Sequence, residues 1–454
     1  MAVITNSNAR SLGAFGLLML LAACDETDET LQDAADSLSP SIGDLARNAR
    51  VCPNHSYVTI AGADGAGDTH LDLLAADESS GGAWLGGTIA DPITLGKFEV
   101  APSGGTDAFL AKLDACGAPI WARSFGATGD ETALSLQTDA DGNAYVLGTL
   151  DGTVDFGSGP ISGEGPGFDA FVLKLDADGD VVWSKHIHTT DGVALTTNIT
   201  TDKEGNVLVL GHLEGAVSFG DATVDSSTVT GFLARIDASG ATDWAIGLGL
   251  GSDLHPLDVE TTSAGEIFVA GEDARGVGIF AQSITTEGVV SWTQSFRASG
   301  QFLEQFFDMT VAADDSPILV GRGFLKQGGD ESADTPYFVA KLGDLGEPTW
   351  VQFGDQPFTR VAAHSDGSFV LGTERCEDVS KPKPTGCAVA ISRRDADGNL
   401  VGSHDVIGEA SLEALDLDTN GRPLIQGLAS GKVRVGGASA IADERDFYVG
   451  RLLH

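Results

Sequence analysis

The chain repeats itself, and a repeat built from short strand-like segments leaves few folds open. Asn143-Ala144-Tyr145-Val146-Leu147-Gly148 recurs as Asn206-Val207-Leu208-Val209-Leu210-Gly211, as Ile267-Phe268-Val269-Ala270-Gly271 and as Ser368-Phe369-Val370-Leu371-Gly372. Weaker copies end at Gly87, Gly321 and Gly427, which makes seven. A second element runs from Asp107 to Asp114 and returns at Asp169 to Asp176, Gly231 to Asp237, Tyr337 to Leu342 and Asp446 to Leu452. Degenerate copies of it lie near Gly276 to Ile284 and Cys387 to Arg393. A third element carries Trp121, Trp183, Trp244, Trp292 and Trp350, with a copy lacking Trp around Leu400 to Ile407. A fourth precedes each glycine-terminated segment, as Ala133 to Asp139 and Ala194 to Asp202 do.

Each element is 6 to 9 residues, rich in apolar and β-branched types and bounded by Gly, Asp or Asn, which is strand patterning. Turns such as Asp139-Ala140-Asp141-Gly142 stand between them, with glycine free to take the left-handed conformation of a tight hairpin. One repeat therefore reads as strand A, Ala133 to Asp139; B, Asn143 to Leu150; C, Asp169 to Asp176; and D, Val181 to His186. A lone four-stranded sheet leaves a face bare, and seven packed radially do not. The expected fold is all-β, a seven-bladed β-propeller of four-stranded antiparallel blades over residues 56–454. The surplus length sits in the B–C connections, Ala90 to Thr106, Asp151 to Phe168, Glu214 to Thr230 and Phe324 to Thr335. These share one face with the D–A connections, so that face is the expected recognition surface.

The run Asp-Ala-Phe-x-x-Lys-Leu-Asp, then Gly, Trp, Phe-Gly and Asp-x-x-Gly-Asn-x-Tyr-Val-x-Gly, met between Asp107 and Gly148, resembles the bacterial seven-bladed propeller repeat, the SBBP repeat. The resemblance implies a secreted or envelope-attached propeller and brings no catalytic motif. It weakens at Phe280, which lacks the Lys-Leu-Asp, and in the sixth D strand, which lacks Trp.

Counting elements leaves one D strand missing, because the chain reaches His454 immediately after the seventh C strand. An open sheet edge there would carry unpaired backbone groups. Tyr57 to Ala61 is the expected strand, added beside Asp446 to Leu453 so that one blade joins both ends of the chain.

At the N-terminus Arg10 precedes 12 apolar residues, Leu12 to Ala23. That is shorter than the ~20 of a membrane span and reads as a signal peptide over residues 1–23. Leu21-Ala22-Ala23-Cys24 resembles the lipobox of bacterial lipoproteins, which implies cleavage before Cys24 and lipidation of its thiol. Residues 24–55, opening on Asp25-Glu26-Thr27-Asp28-Glu29, read as an acidic tether. Four cysteines remain beyond Cys24, expected to pair in an oxidising compartment as Cys52–Cys116 and Cys376–Cys387.

The 66 acidic and 26 basic residues give a net charge of −40, which excludes nucleic acid as a partner. Membrane contact is expected through the lipid alone. No catalytic residue, cofactor motif or metal set stands out. His186 and His188 share one face of a strand, yet no carboxylate or thiol is obviously delivered to them, so they read as a solvated outer strand. Asp416-Leu417-Asp418-Thr419-Asn420-Gly421 imitates a calcium loop but has Gly427 where the bidentate Glu belongs, and reads as a turn. The tryptophans read as packing between blades rather than as a quinone site. The expected function is a lipid-anchored, monomeric, non-enzymatic binding module or scaffold of the bacterial cell envelope, recognising a protein or polysaccharide. The alternative is an envelope enzyme, quinoprotein-like, hydrolase or lyase, with its site at the propeller mouth.

Overall fold

The computed structural model describes residues 55–63, 69–163, 169–249, 254–273, 278–298, 301–325, 337–375 and 387–453. All regular structure among them is β, without a helix, and every strand pairing is antiparallel. The A–B–C–D order expected from the repeat is realised. His70–Asp77, Gly82–Ile89, Asp107–Leu113 and Pro119–Phe125 form the first such meander. Glu131–Thr138, Ala144–Leu150, Asp169–Leu175 and the start of Val181–Thr201 form the next. That last strand has 21 residues and runs on as the first strand of the following sheet, with Val207–Ser218, Thr223–Ile236 and Thr242–Gly247. Further on come the sheets of residues 254–295, 301–354 and 358–410.

Burial within a sheet explains the sequence pattern. Gly82–Ile89 and Asp107–Leu113 are buried at every position, whereas Pro119–Phe125 is mostly half-exposed. B and C strands covered on both faces read as continuous apolar runs, and the outer D strand alternates. In the sheets that keep both residues, the glycine near the end of strand B and the phenylalanine near the start of strand C belong together. A Cβ on Gly148 would lie 2.1 Å from the Thr132 carbonyl oxygen and 2.3 Å from Phe171. On Gly211 it would meet the Leu195 oxygen at 2.4 Å and Phe232 at 2.5 Å. Only a residue without a side chain lets strand A and the ring approach together.

Neighbouring sheets are tied by the other repeated residues. Trp183 Nε1–H donates to the Ala238 carbonyl at 3.1 Å, Trp244 to Thr286 at 3.1 Å and Trp292 to Asp344 at 2.9 Å, each on the C–D turn of the following sheet. The repeat's lysine does the same from strand C. Lys112 pairs with Asp77 at 2.8 Å and donates to the Ala177 carbonyl at 2.7 Å. These tryptophans therefore pack between sheets, as expected for large aromatic side chains recurring in each repeat. The long B–C connections are themselves partly hairpins: Ile93–Leu95 with Phe98–Val100, and Gly152–Asp155 with Pro160–Gly163.

Tyr57–Ala63 pairs with Ala438–Arg451 in the register Tyr57↔Arg451 to Ala61↔Phe447, the position expected for the missing D strand. Its far end also pairs with Ile93–Leu95 of the first B–C hairpin. Tyr57 takes the tryptophan's place in this strand. A Cβ on Gly117, in the first C–D turn, would lie 2.3 Å from the Tyr57 ring, and Thr59 Oγ1 donates to the Gly117 carbonyl at 2.6 Å. The Arg451 guanidinium stands 5.0 Å over the same ring and donates to the His55 carbonyl at 3.0 Å. Tyr57→Ala should cost about 3 kcal/mol, the range for a buried aromatic truncation. Urea denaturation followed by tryptophan fluorescence would read this as a lower midpoint with an unchanged slope. A midpoint equal to that of the parent would mean that the contact with Gly117 contributes nothing.

Candidate functional site

The first strands of successive sheets converge on one cavity of about 500 Å³. Its wall draws on residues 72–74, 134–137, 197–198, 257–260, 306–310, 360–363 and 413–416, one segment from each A strand. Asp72, Asp258, Glu260, Asp308, Glu413 and Asp416 bring carboxylates to it, against the single guanidinium of Arg360.

A local irregularity of strand A presents several of these side chains. Register shifts fall between Ala133 and Ser135, Thr196 and Asn198, Pro256 and Asp258, Phe306 and Asp308, and Phe358 and Arg360. In each, the residue after the shift is polar and belongs to the cavity wall. Several of them reach the backbone of the next sheet. Asp258 accepts the Met309 N–H at 2.9 Å, and Asp308 accepts the Val361 N–H at 2.8 Å. Asn198 Nδ2 donates to Asp258 at 2.7 Å, and Asn198 Oδ1 accepts from Ser135 Oγ at 2.7 Å. Asp416 accepts the Ala76 N–H at 2.7 Å, which links residues 340 positions apart.

Burial dominates the chemistry of these carboxyls. It pushes Asp258 up to about 8, helped by the Asp308 carboxylate and opposed by the N–H groups of Met309 and Val259. Asp308 rises to about 6 through burial, with Arg360 opposing. Asp416 rises to about 6 for the same first reason. Burial carries Glu260 well above the ordinary carboxylate range, reinforced by Asp258, Asp308 and Asp416. These carboxyls thus keep their protons to higher pH than isolated carboxylates do.

Among the residues picked out in the sequence, His186 and His188 require a correction. A carboxylate is delivered to them. Asp169 Oδ2 lies 3.0 Å from His186 Nε2 and 3.0 Å from His188 Nδ1. Of the Asp416 to Gly421 stretch, Asp416 and Leu417 end the strand Ala414–Leu417, and Asp418 to Gly421 form the turn expected. Asp418 accepts the N–H groups of Asn420 and Arg422 and pairs with the Arg422 guanidinium at 2.6 Å. Cys24, Cys52 and Cys376 lie outside the described residues. Cys116 and Cys387 are within them, and both are in disulfide linkage. Cys116 sits in the turn on which Tyr57 packs, and Arg375 faces Ala388 as the last described pair of the hairpin before Cys387. The cavity carboxylates were not singled out from the sequence. The signal was present: Ser135, Asn198, Asp258, Asp308 and Arg360 each stand four residues before the residue that opens the A–B turn.

No protein-family model matches the chain. The regulatory protein FlaEY of Caulobacter vibrioides is 29% identical over 187 residues, which span 39% of this chain and only 19% of that protein. Puromycin hydrolase superposes with a TM-score of 0.51 at 15% identity, over 85% of this chain and 55% of its own. Virginiamycin B lyase from Staphylococcus aureus has a TM-score of 0.46 at 9% identity, over 88% of this chain and all of its own. Puromycin hydrolase is a propeller-type protein, and at 15% identity the likeness concerns architecture alone. The fold is propeller-like.

The raised carboxyls link stability to pH. A carboxyl whose native pKa exceeds its unfolded one binds a proton more readily when folded, so its contribution is present at low pH and is lost as pH rises. For Asp258 the window runs from the ordinary aspartate value, 3.8, to about 8. The domain should lose stability across that window, and Asp258→Asn should flatten the slope. Thermal melts at several pH values would show this; the same slope in the variant would assign the effect to another group.

Proposed function

We propose that this chain is a lipid-anchored binding module of the bacterial cell envelope, a closed ring of seven four-stranded blades that takes a cationic group of its partner into the acidic cavity. The observation that carries the reading is the convergence of six carboxylates and one guanidinium on a cavity within the usual size range of small-ligand sites. Ring closure is supported by the succession of hydrogen bonds from sheet to sheet. Thr138 Oγ1 donates to the Ala76 carbonyl at 2.6 Å and Thr201 Oγ1 to Thr138 at 3.1 Å, and Ala76 N–H donates to Asp416 at 2.7 Å to join the last sheet to the first. Tyr57–Ala63 is then the closing strand of the seventh blade. The disulfides Cys52–Cys116 and Cys376–Cys387 belong to the same reading, the first locking the closure and the second a hairpin. The partner, an envelope protein or polysaccharide, would meet the face that carries the B–C hairpins, and a basic group on it would enter the cavity.

A second reading is an enzyme of hydrolase or lyase type, favoured by Asp258 and Glu260, whose raised pKa values suit a general acid. Binding ranks first because Asp258 and Asp308 are already occupied in accepting N–H groups from the next sheet.

The whole chain, purified in detergent, should bind spermidine or a lysine- and arginine-rich peptide in calorimetry and ignore an acidic peptide of equal length. A cation favours the ionised carboxyls, so affinity should rise from pH 5 to pH 8, by roughly tenfold for each proton displaced over each pH unit. Glu260→Gln should weaken binding. Equal affinity for the acidic peptide would overturn the proposal. For the anchor, Cys24→Ser should leave an unprocessed or soluble protein, visible in fractionation and by a change in mass. Normal processing and membrane retention in that variant would remove the lipid from the account.

A further inference from the structure

Asp169, His186 and His188 form a cluster outside the cavity. Asp169 opens strand C and its side chain is 2% exposed; the histidines lie on the paired strand with side chains 26% and 36% exposed. Ile187, between them, points the other way and is buried in the core. The two imidazole centroids stand 5.2 Å apart at an interplanar angle of 47°. One donor atom from each of the three residues falls within 4.8 Å of the others. The Thr189 N–H donates to Asp169 Oδ1 at 3.1 Å, which holds the carboxylate and leaves Oδ2 toward both rings. That is how a metal-ligating carboxylate is oriented by a neighbour.

The repeat itself shows that the histidines are not there for the fold. Asp107 opens the equivalent strand of the 70–125 sheet, is fully buried, and accepts the Ser103 N–H at 2.9 Å. The shared register, Ala108↔Phe125 against Ala170↔Ile187, puts Ser124 and Gly126 where His186 and His188 stand. In the 414–451 sheet, Phe447↔Ala61 puts Ile60 and Gly62 beside Asp446. The aspartate recurs as a structural residue, and only one of these three sheets confronts it with imidazoles.

We propose that His186 Nε2, His188 Nδ1 and Asp169 Oδ2 bind one divalent transition-metal ion of the zinc class, with a position left open to solvent or to a ligand. Two imidazoles and a carboxylate are a donor set that zinc takes in sites of this kind. Tetrahedral coordination with bonds of ~2.1 Å sets donors about 3.4 Å apart. The observed 3.0 Å separations to Oδ2 need to open by only a few tenths of an ångström, within the reach of half-exposed side chains. Binding displaces the hydrogen bonds among the three residues and competes with protons, so it weakens in acid. The net charge of −40 raises the local cation concentration.

The test uses the whole chain without a histidine tag, purified in detergent and stripped with EDTA. Titration with Zn²⁺ against a chromophoric chelator should give one equivalent of tight binding, and Co²⁺ should give visible d–d absorption bands. His186→Gln and His188→Gln should each weaken the Zn²⁺ affinity on the order of a hundredfold, at the upper end of the effect of removing a supporting group. Circular dichroism of the two variants should match the parent, because neither side chain is in the core. His212→Gln and His255→Gln, which alter a stacked pair elsewhere, should leave binding unchanged. Failure to bind Zn²⁺ at tens of micromolar, or stoichiometric binding that survives the His186→Gln and His188→Gln double variant, overturns the assignment.

Discussion

Over most of its length the first strand of each sheet is a bare edge, with only the short Arg297–Ala298 segment pairing beside one of them, and its inward N–H groups need acceptors from elsewhere. A buried N–H without a partner costs about as much as a lost hydrogen bond. The acceptors are side chains of the preceding sheet, placed by a one-residue irregularity in its own first strand: Ser135 for Ile199, Asp258 for Met309 and Asp308 for Val361. The outer edge is handled differently, by an indole or a lysine laid on the next C–D turn. Inner caps and outer staples act at opposite margins of the same sheet and fix its angle to the next.

The acidic cavity follows from this arrangement. Several acceptors chosen to satisfy backbone donors are carboxylates, and they gather where the first strands meet. Glu260, Asp72 and Glu413 bring further carboxylates to the same cavity. Buried like charges resist ionising together, so burial and mutual repulsion raise Asp258, Glu260 and Asp308 in concert. A stabilising device and a chemically distinctive site are therefore built from the same atoms. A capping aspartate cannot be replaced without also removing an acceptor for the next sheet, so Glu260 is the carboxylate to substitute in a binding test.

Much of the architecture was legible because strands and turns are local. The Asp-x-Asp-Gly turns announce themselves. Asp139 accepts the N–H groups of Asp141 and Asn143 within the turn, and Gly142 takes a φ of 81°. Tyr57–Ala63 was legible by count, as the one strand left over where one was missing. The histidine cluster was not, although all three residues belong to one hairpin. A register shift between Lys174 and Leu175 moves the C–D pairing by one residue, and it is this shift that sets Phe171 opposite His186. The same shift recurs in other sheets, between Lys112 and Leu113 and between Lys341 and Leu342, yet pairing residues one for one outward from the turn misses it.

Sequence alone determined the repeated strands, their order within a sheet, the turns and the tryptophans that fasten one sheet to the next. All of these depend on neighbours a few residues away or one repeat along, and a periodic sequence writes such relations out many times. The cavity was decided only by the tertiary structure. Asp258, Asp308 and Asp416 are about 50 to 160 residues apart in the chain, and the protonation that distinguishes them comes from burial among strands of other sheets. Proximity at that range is created by the packing of whole sheets, and the desolvation that follows has no counterpart in the unfolded chain.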